Sequence, residues 1–175
     1  NVLRELKEAG MNGIKIDLKG DTETYQRYCG GIDVYKVLRN AREAKGMGLH
    51  LEIVNLIVTG VNDDESCLKF IIESHVKNVG VETPIHFTRY HPTPNFLNPP
   101  TPVSKLVEAY EMAKESGIKF PYIGNVPGHP LESTYCPNCG KLLIKRFGSD
   151  VLEYRVTRDN RCPKCGENIP IKSLK

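Results

Sequence analysis

The 175-residue sequence has no long apolar run, no signal-peptide pattern and no initiator methionine. No run approaches the roughly 20 apolar residues that a membrane-spanning helix needs. Internal repeats and low-complexity segments are also lacking, while 39% of residues are hydrophobic and 26% are charged, as is typical of folded globular proteins. We therefore expect a cytoplasmic protein without membrane contact. Because the sequence begins at Asn1, we also expect a fragment or a processed product.

The sequence has little net charge, only +3, but this charge is unevenly distributed. Residues 129–175 hold nine Lys and Arg against five Asp and Glu, whereas residues 1–128 hold 15 against 16. Residues 129–175, here called the tail, also contain four cysteines, and if these bound a zinc ion as thiolates the charge of the tail would fall from +4 to about +2. Such a basic patch is weak evidence for a polyanionic partner, so nucleic acid is not the partner that we expect.

Short apolar runs alternate with helical stretches through residues 1–128. This alternation predicts βαβ units and a parallel sheet. One run, 49–58, is almost continuously apolar, which is expected of a strand buried on both faces. The predicted strands are 13–19, 49–58, 83–90 and 119–125, and the predicted helices are 2–9, 34–45, 63–75 and 102–116.

The sequence pattern changes after His129. Residues 141–156 form two strand-like runs on either side of 147–150, which predicts a β-hairpin. We therefore expect two domains: an α/β domain over residues 1–128, and a small β-rich domain over residues 129–175.

Four of the six cysteines stand in two C-x-x-C pairs, Cys136 with Cys139 and Cys162 with Cys165. Two residues between thiols allow both sulfur atoms to reach one tetrahedral ion. The hairpin between the pairs would bring the second pair beside the first. We predict a structural zinc ribbon, with iron in a rubredoxin-like site as the rival because its ligand spacing is the same. Two disulfides or four free thiols are the remaining alternative.

Charged side chains share one face of the first predicted strand, where Lys15, Asp17 and Lys19 alternate with apolar residues. Ligands of parallel sheets bind at the C-terminal ends of the strands, where Asp17 and Lys19 lie. A carboxylate and an ammonium at this spacing could hold a zwitterion or ribose hydroxyls. The alternative is an ion pair on an exposed strand.

Further polar candidates lie in or after the next two predicted strands. His91 precedes a proline and should be extended at the mouth of a loop. His86 lies within its strand and is also compatible with a hydrogen-bonded core histidine. Asn55 and Glu52 are polar residues in an apolar strand, and we rank them lower.

The order of several segments resembles the C-terminal part of radical SAM enzymes of the AmmeMemoRadiSam type, relatives of pyruvate formate-lyase-activating enzyme. The resemblance spans essentially the whole chain and is carried by GIKIDLKG, LIVTGVNDDE, HFTRYHPT, IGNVPGH and STYCPNCGKLLI. It implies the C-terminal half of a partial (β/α)6 barrel that binds S-adenosylmethionine and a [4Fe–4S] cluster. Reductive cleavage of S-adenosylmethionine then yields a 5′-deoxyadenosyl radical that abstracts a hydrogen atom.

By position, the resemblance implies that Asp17, Lys19 and His91 contact S-adenosylmethionine, with Asn55 as a further candidate. The C-x-x-x-C-x-x-C loop that ligates the cluster is absent from the sequence. We therefore expect the cluster ligands outside this fragment and no S-adenosylmethionine cleavage by the chain alone. The radical acceptor could be a glycyl-radical protein, a small molecule or a Memo-family partner.

Two further expectations follow. A half barrel would leave the strand at 13–19 with one edge unpaired, which favours self-association through that strand, a crystal contact over it or loss of order near the N-terminus.

The competing functional hypothesis is a non-catalytic zinc-ribbon module that binds nucleic acid or a partner protein.

Overall fold

Four parallel strands form the central sheet in a computed structural model, which describes residues 2–171. They lie in the order β1-β2-β3-β4, and each pairs in parallel with its neighbour. The α/β class and the parallel sheet predicted from the alternating pattern are confirmed. The strands are β1 Gly13–Asp17, β2 His50–Ile57, β3 Ile85–Arg89 and β4 Pro121–Gly124.

Five α-helices precede or connect these strands within the described residues. Asp64 caps α4 by accepting a hydrogen bond from the backbone N–H of Cys67, as its position in the sequence predicts. The helix continues to Val79, four residues beyond the predicted end. The helices are α1 Val2–Glu8, α2 Thr22–Tyr28, α3 Val34–Gly46, α4 Glu65–Val79 and α5 Val103–Glu115. Among residues 2–171, no helix has both the length and the apolar character needed to cross a bilayer.

One face of the sheet is covered by helices and the other is only partly covered. In β2, buried residues alternate with half-buried ones along the whole strand. The prediction that this strand is buried on both faces is therefore wrong. Its buried side chains join the main apolar core with the inward faces of α3, α4 and α5, whereas the opposite side, here called the open face, carries Lys15, Glu52, His86 and Tyr122.

A second, antiparallel sheet follows β4. It contains β5 Thr134–Tyr135, β6 Leu142–Phe147 and β7 Asp150–Tyr154, in that order. The strands β6 and β7 form a hairpin where the sequence predicts one. This region has its own small apolar core, which includes Leu143 and Ile169.

The second sheet contacts the open face through β5 and β6. The hydroxyl of Tyr122 on β4 lies 3.0 Å from Oγ1 of Thr134. Arg146 on β6 donates to the same Thr134 oxygen at 2.7 Å and to the carbonyl of Glu132 at 3.3 Å. Its guanidinium also stands over the Tyr122 ring, 5.6 Å from the centroid, as in a cation–π contact.

The strand β1 lies at one end of the parallel sheet. Within residues 2–171 it pairs with β2 and with no other strand. The helix α1 before it buries none of its residues. This arrangement agrees with the expected exposed edge, whereas the half-barrel and the exact (β/α)6 architecture remain predictions.

Candidate functional site

The four cysteines of the two C-x-x-C pairs come together in one cluster. Their sulfur atoms all lie within 4.8 Å of one another. The Sγ atoms of Cys136 and Cys165 are 3.5 Å apart, and those of Cys139 and Cys162 are 3.7 Å apart. Thiolates 2.3 Å from a tetrahedral zinc ion are about 3.8 Å from each other, so the cluster has dimensions that fit such an ion.

The two pairs adopt the same backbone conformation. In each, the first cysteine donates its N–H to the carbonyl five residues later, at 2.8 Å, and accepts from the N–H of the following glycine at 2.9–3.0 Å. Both glycines, Gly140 and Gly166, have a φ near +70°. This backbone conformation would be strained in any residue that has a side chain. The turn therefore depends on glycine as well as on the cysteines, as expected for metal-binding knuckles.

The thiols of this cluster differ in their affinity for a proton. Burial raises the pKa of the Cys136 thiol to about 12. Burial alone would also raise the pKa of Cys162, but hydrogen bonds from the backbone N–H groups of Lys164 and Cys165 outweigh it and lower this pKa to about 6. A cation at the centre would stabilise all four thiolates together. The donor set fits a metal, and both zinc and iron accept four thiolates.

The two predicted cofactor ligands of β1 lie together at the C-terminal end of the strand. Nζ of Lys19 is 2.6 Å from Oδ2 of Asp17, and both side chains are about half exposed. In this structure they form the ion pair that the sequence analysis gave as the alternative. His91 is also exposed and follows β3 at the same edge of the sheet.

Asn55 does not lie with this ion pair. Its side chain is fully buried on the helix-covered face, and its Nδ2 donates to the carbonyl of Leu18 at 2.7 Å. The expectation that Asn55 contacts the cofactor does not fit this placement, because strand alternation points the residue away from Asp17. Asn55 instead holds the backbone at the end of β1.

Two further residues hold the same segment, and the sequence analysis missed both. Asn62 donates to the carbonyls of Lys19 at 2.5 Å and Leu56 at 2.9 Å. Tyr25 on α2 places its hydroxyl 3.2 Å from the backbone N of Lys19 and 3.3 Å from the carbonyl of Asp17. The backbone around the ion pair is therefore fixed by groups from two neighbouring elements.

A second polar cluster occupies the middle of the open face. The carboxylate of Glu52 has Nε2 of His50 3.2 Å from Oε1 and Nε2 of His86 3.3 Å from Oε2. Hydrogen bonding to His86 is the main cause that lowers the pKa of Glu52 to about 2, against an opposing effect of burial. The His86 ring stacks on Tyr122 with centroids 4.9 Å apart.

This cluster lines a cleft of about 730 Å³ between the open face and the second sheet. Lys15, Glu132 and Arg146 add charged groups to its walls, and Ile144 and Ile169 add apolar surface. The sequence analysis ranked Glu52 low and took His86 as equally compatible with the core. The alternation of β2 predicts that His50 and Glu52 share a face, whereas the place of His86 beside them depends on the register between β2 and β3.

Comparisons with known proteins found relatives by sequence and by structure. No family model matches this chain. It is 43% identical to an uncharacterized protein of Methanocaldococcus jannaschii over 169 residues, which are 95% of this chain and 50% of that protein. It is 28% identical to the GTP 3′,8-cyclase of Limosilactobacillus fermentum, covering 83% of this chain and 48% of the cyclase. The chain thus spans about half the length of the curated relatives it matches.

Among solved structures, the chain is similar to a domain of pyruvate-formate lyase-activating enzyme from Bacteroides vulgatus. The TM-score is 0.59 with 21% identity, and the match covers 70% of this chain and 73% of that domain. At this identity the similarity shows a shared fold.

Proposed function

We propose that this chain is the C-terminal part of a radical SAM enzyme, in which the parallel sheet binds S-adenosylmethionine at the C-terminal ends of its strands. The observation that carries the proposal is the position of Asp17 and Lys19 at that edge of a sheet whose fold is similar to pyruvate-formate lyase-activating enzyme. The similarity to GTP 3′,8-cyclase supports it at the level of sequence. Ligands of open parallel sheets commonly bind at this edge.

The chemistry of the ion pair suits the amino-acid part and the ribose of this cofactor. The Lys19 ammonium can donate to a carboxylate, and the Asp17 carboxylate can accept from an ammonium or from hydroxyl groups. Each now neutralises the other, so binding requires the pair to open and exchange one partner for another. Asn62 and Tyr25 hold the backbone still while the side chains exchange partners.

The remaining parts of the proposal concern the metals. The [4Fe–4S] cluster is held by residues outside this chain, and when both cofactors are bound S-adenosylmethionine supplies a 5′-deoxyadenosyl radical for hydrogen abstraction. The four-cysteine centre has a structural role, because four protein ligands leave no open position on a tetrahedral ion. We propose zinc as its occupant.

Removing the charges at the edge of the sheet tests this function. In the complete natural protein with its cluster assembled, Asp17→Ala and Lys19→Ala should each weaken S-adenosylmethionine binding by about 1.5–3 kcal/mol, as expected for a lost charge-assisted hydrogen bond. His91→Ala should weaken it in the same direction. Isothermal titration calorimetry measures the affinity, and iron content shows that the cluster still assembles.

A matched control comes from a different ion pair of the same domain. Lys69 and Glu73 pair on the exposed face of α4, so Lys69→Ala should leave the affinity unchanged. Unchanged affinity in both Asp17→Ala and Lys19→Ala would instead make that pair a structural one and remove the basis of the proposal.

A further inference from the structure

Glu132 is a nearly buried carboxylate in the wall of the cleft. It ends a one-turn 3-10 helix, Pro130–Glu132, between β4 and β5, and only 6% of its surface is exposed. Its Oε2 accepts from the backbone N–H groups of Gly128 at 3.0 Å and Gly148 at 3.3 Å. One oxygen of the carboxylate is therefore held by the loop after β4 and by the turn of the hairpin.

The other oxygen, Oε1, accepts no hydrogen bond from residues 2–171, yet solvent can reach it. Because Glu132 lines the cleft, we take the cleft as the route to this oxygen. The carboxylate also forms no ion pair with any described residue. Of the two basic side chains in the cleft, Arg146 donates through Nη1 to the Glu132 carbonyl and to Thr134, and Lys15 stands on β1, at the far end of the sheet from β4.

A carboxylate in this position is costly without a cation. Removing a charged group from water is unfavourable unless the group is both paired and hydrogen-bonded. The two backbone amides satisfy one oxygen of Glu132 and leave the other as a free acceptor. A cationic N–H donor that enters from the cleft would satisfy this oxygen with a charge-assisted hydrogen bond.

The same cleft offers apolar surface for the rest of such a molecule. Phe120, Ile144 and Ile169 line it, and each is at most 6% exposed. The volume of about 730 Å³ lies in the range of sites for small organic molecules. An inorganic cation would leave this apolar surface without a contact, so the lining favours an organic cation.

The geometry points to a ligand site: we propose that the cleft binds an organic amine. Its ammonium group donates to Oε1 of Glu132, and its apolar part packs on the phenylalanine and isoleucine side chains of the cleft. Asp17 and Lys19 do not line this cleft, so the site is separate from the edge where we place S-adenosylmethionine.

Two probes of similar size test the proposal on the 175-residue chain supplied with zinc. Phenethylamine carries an ammonium group at neutral pH, whereas 2-phenylethanol carries a hydroxyl at the same position. The amide NMR signals of Gly128 and Gly148 report on the site, because both N–H groups donate to Glu132. We expect phenethylamine to shift both signals saturably and to bind at least about tenfold more tightly than the alcohol.

A substitution that removes only the charge tests the role of Glu132. Glu132→Gln keeps an oxygen that can accept from both glycine amides, and it should weaken phenethylamine binding at least about tenfold. The matched control is Glu73→Gln, which makes the same change at an exposed carboxylate of α4 and should bind the amine as the unmodified chain does. The dispersion of the amide spectrum shows whether each variant is folded.

Three results would overturn the site: phenethylamine leaves both glycine signals unchanged, the alcohol binds as tightly as the amine, or Glu132→Gln binds the amine as tightly as the control. The comparison of the two probes needs no variant, so it decides the question even if Glu132→Gln does not fold. None of these results depends on S-adenosylmethionine binding, so failure here leaves the proposed function untouched.

Discussion

His75 is a buried histidine whose protonation should control stability in acid. It is 1% exposed, and burial lowers its pKa from 6.5 to about 4, with Lys45 acting in the same direction and the hydrogen bond to the Thr83 carbonyl opposing. The unfolded chain takes up a proton below about pH 6.5, whereas the folded chain resists until about pH 4. The free energy of unfolding should therefore fall by about 3 kcal/mol as the pH decreases through this window.

Replacing His75 tests this linkage. In His75→Gln, the loss of stability between pH 7 and pH 4 should be smaller by about that amount, as measured by urea unfolding at several pH values. The exposed His91 provides the matched control, and His91→Gln is measured in parallel. An unchanged pH dependence in His75→Gln would contradict the assignment.

Single residues differ in how far local sequence determines their role. The cap at Asp64 and the cysteine knuckles follow from spacing of a few residues, and the structure has both. The contact between Glu52 and His86 depends on the register of two strands 34 positions apart, which no local pattern specifies. Asn55 shows the same dependence, since one step along β2 separates the open face from the covered one.

At the scale of elements, β1 should govern association between chains. The N–H of His50 donates to the Asn12 carbonyl and the N–H of Leu18 to the Val54 carbonyl, so the even-numbered residues of this strand bond to β2. The backbone groups of Gly13, Lys15 and Asp17 then face outward. We expect the isolated chain to self-associate in sedimentation experiments through this edge.

Substitution at Lys15 separates backbone from side-chain effects. Lys15→Pro removes an outward N–H without removing a bond to β2, and should reduce the self-association. Lys15→Ala removes the same charge but keeps the N–H, and should associate at least as strongly as the unmodified chain. Equal association of both variants would place the contact elsewhere.

The elements themselves were predictable to different degrees. The four parallel strands and four of the helices, α1, α3, α4 and α5, were predicted from apolar periodicity, and the structure has them. The helix α2 was missed because its segment, TETYQRY, buries only Thr24 and Tyr25. Its position depends on the Asp21 cap and on the contact of Tyr25 with the end of β1, which is a tertiary interaction.

At the scale of the whole molecule, the two sheets have separate apolar cores and should respond differently to metal loss. The small core beside the cysteines cannot support much stability alone. Cys139→Ser should therefore lose the tightly bound equivalent of zinc and loosen residues 129–171, while the parallel sheet remains folded. Elemental analysis and hydrogen exchange measure the two effects.

Cys29 offers a matched control, since it lies outside the metal cluster. Cys29→Ser should retain the metal and the protection of the second sheet. Iron instead of zinc in the purified protein would correct the identity of the ion, whereas folded residues 129–171 without metal would contradict the site.

The division into domains at residue 129 remains a prediction, because Tyr122, Thr134 and Arg146 join the two sheets.

The arrangement of the four sulfur atoms also predicts which disulfides form when the metal-free protein oxidises. The short Sγ separations join Cys136 to Cys165 and Cys139 to Cys162, across the knuckles. If the metal is removed by a chelator in air, oxidation should therefore link the two ends of the hairpin region and not close two small local rings. Such cross-links would hold the chain in a nearly native shape that no longer accepts metal, and a thiol reductant would restore it.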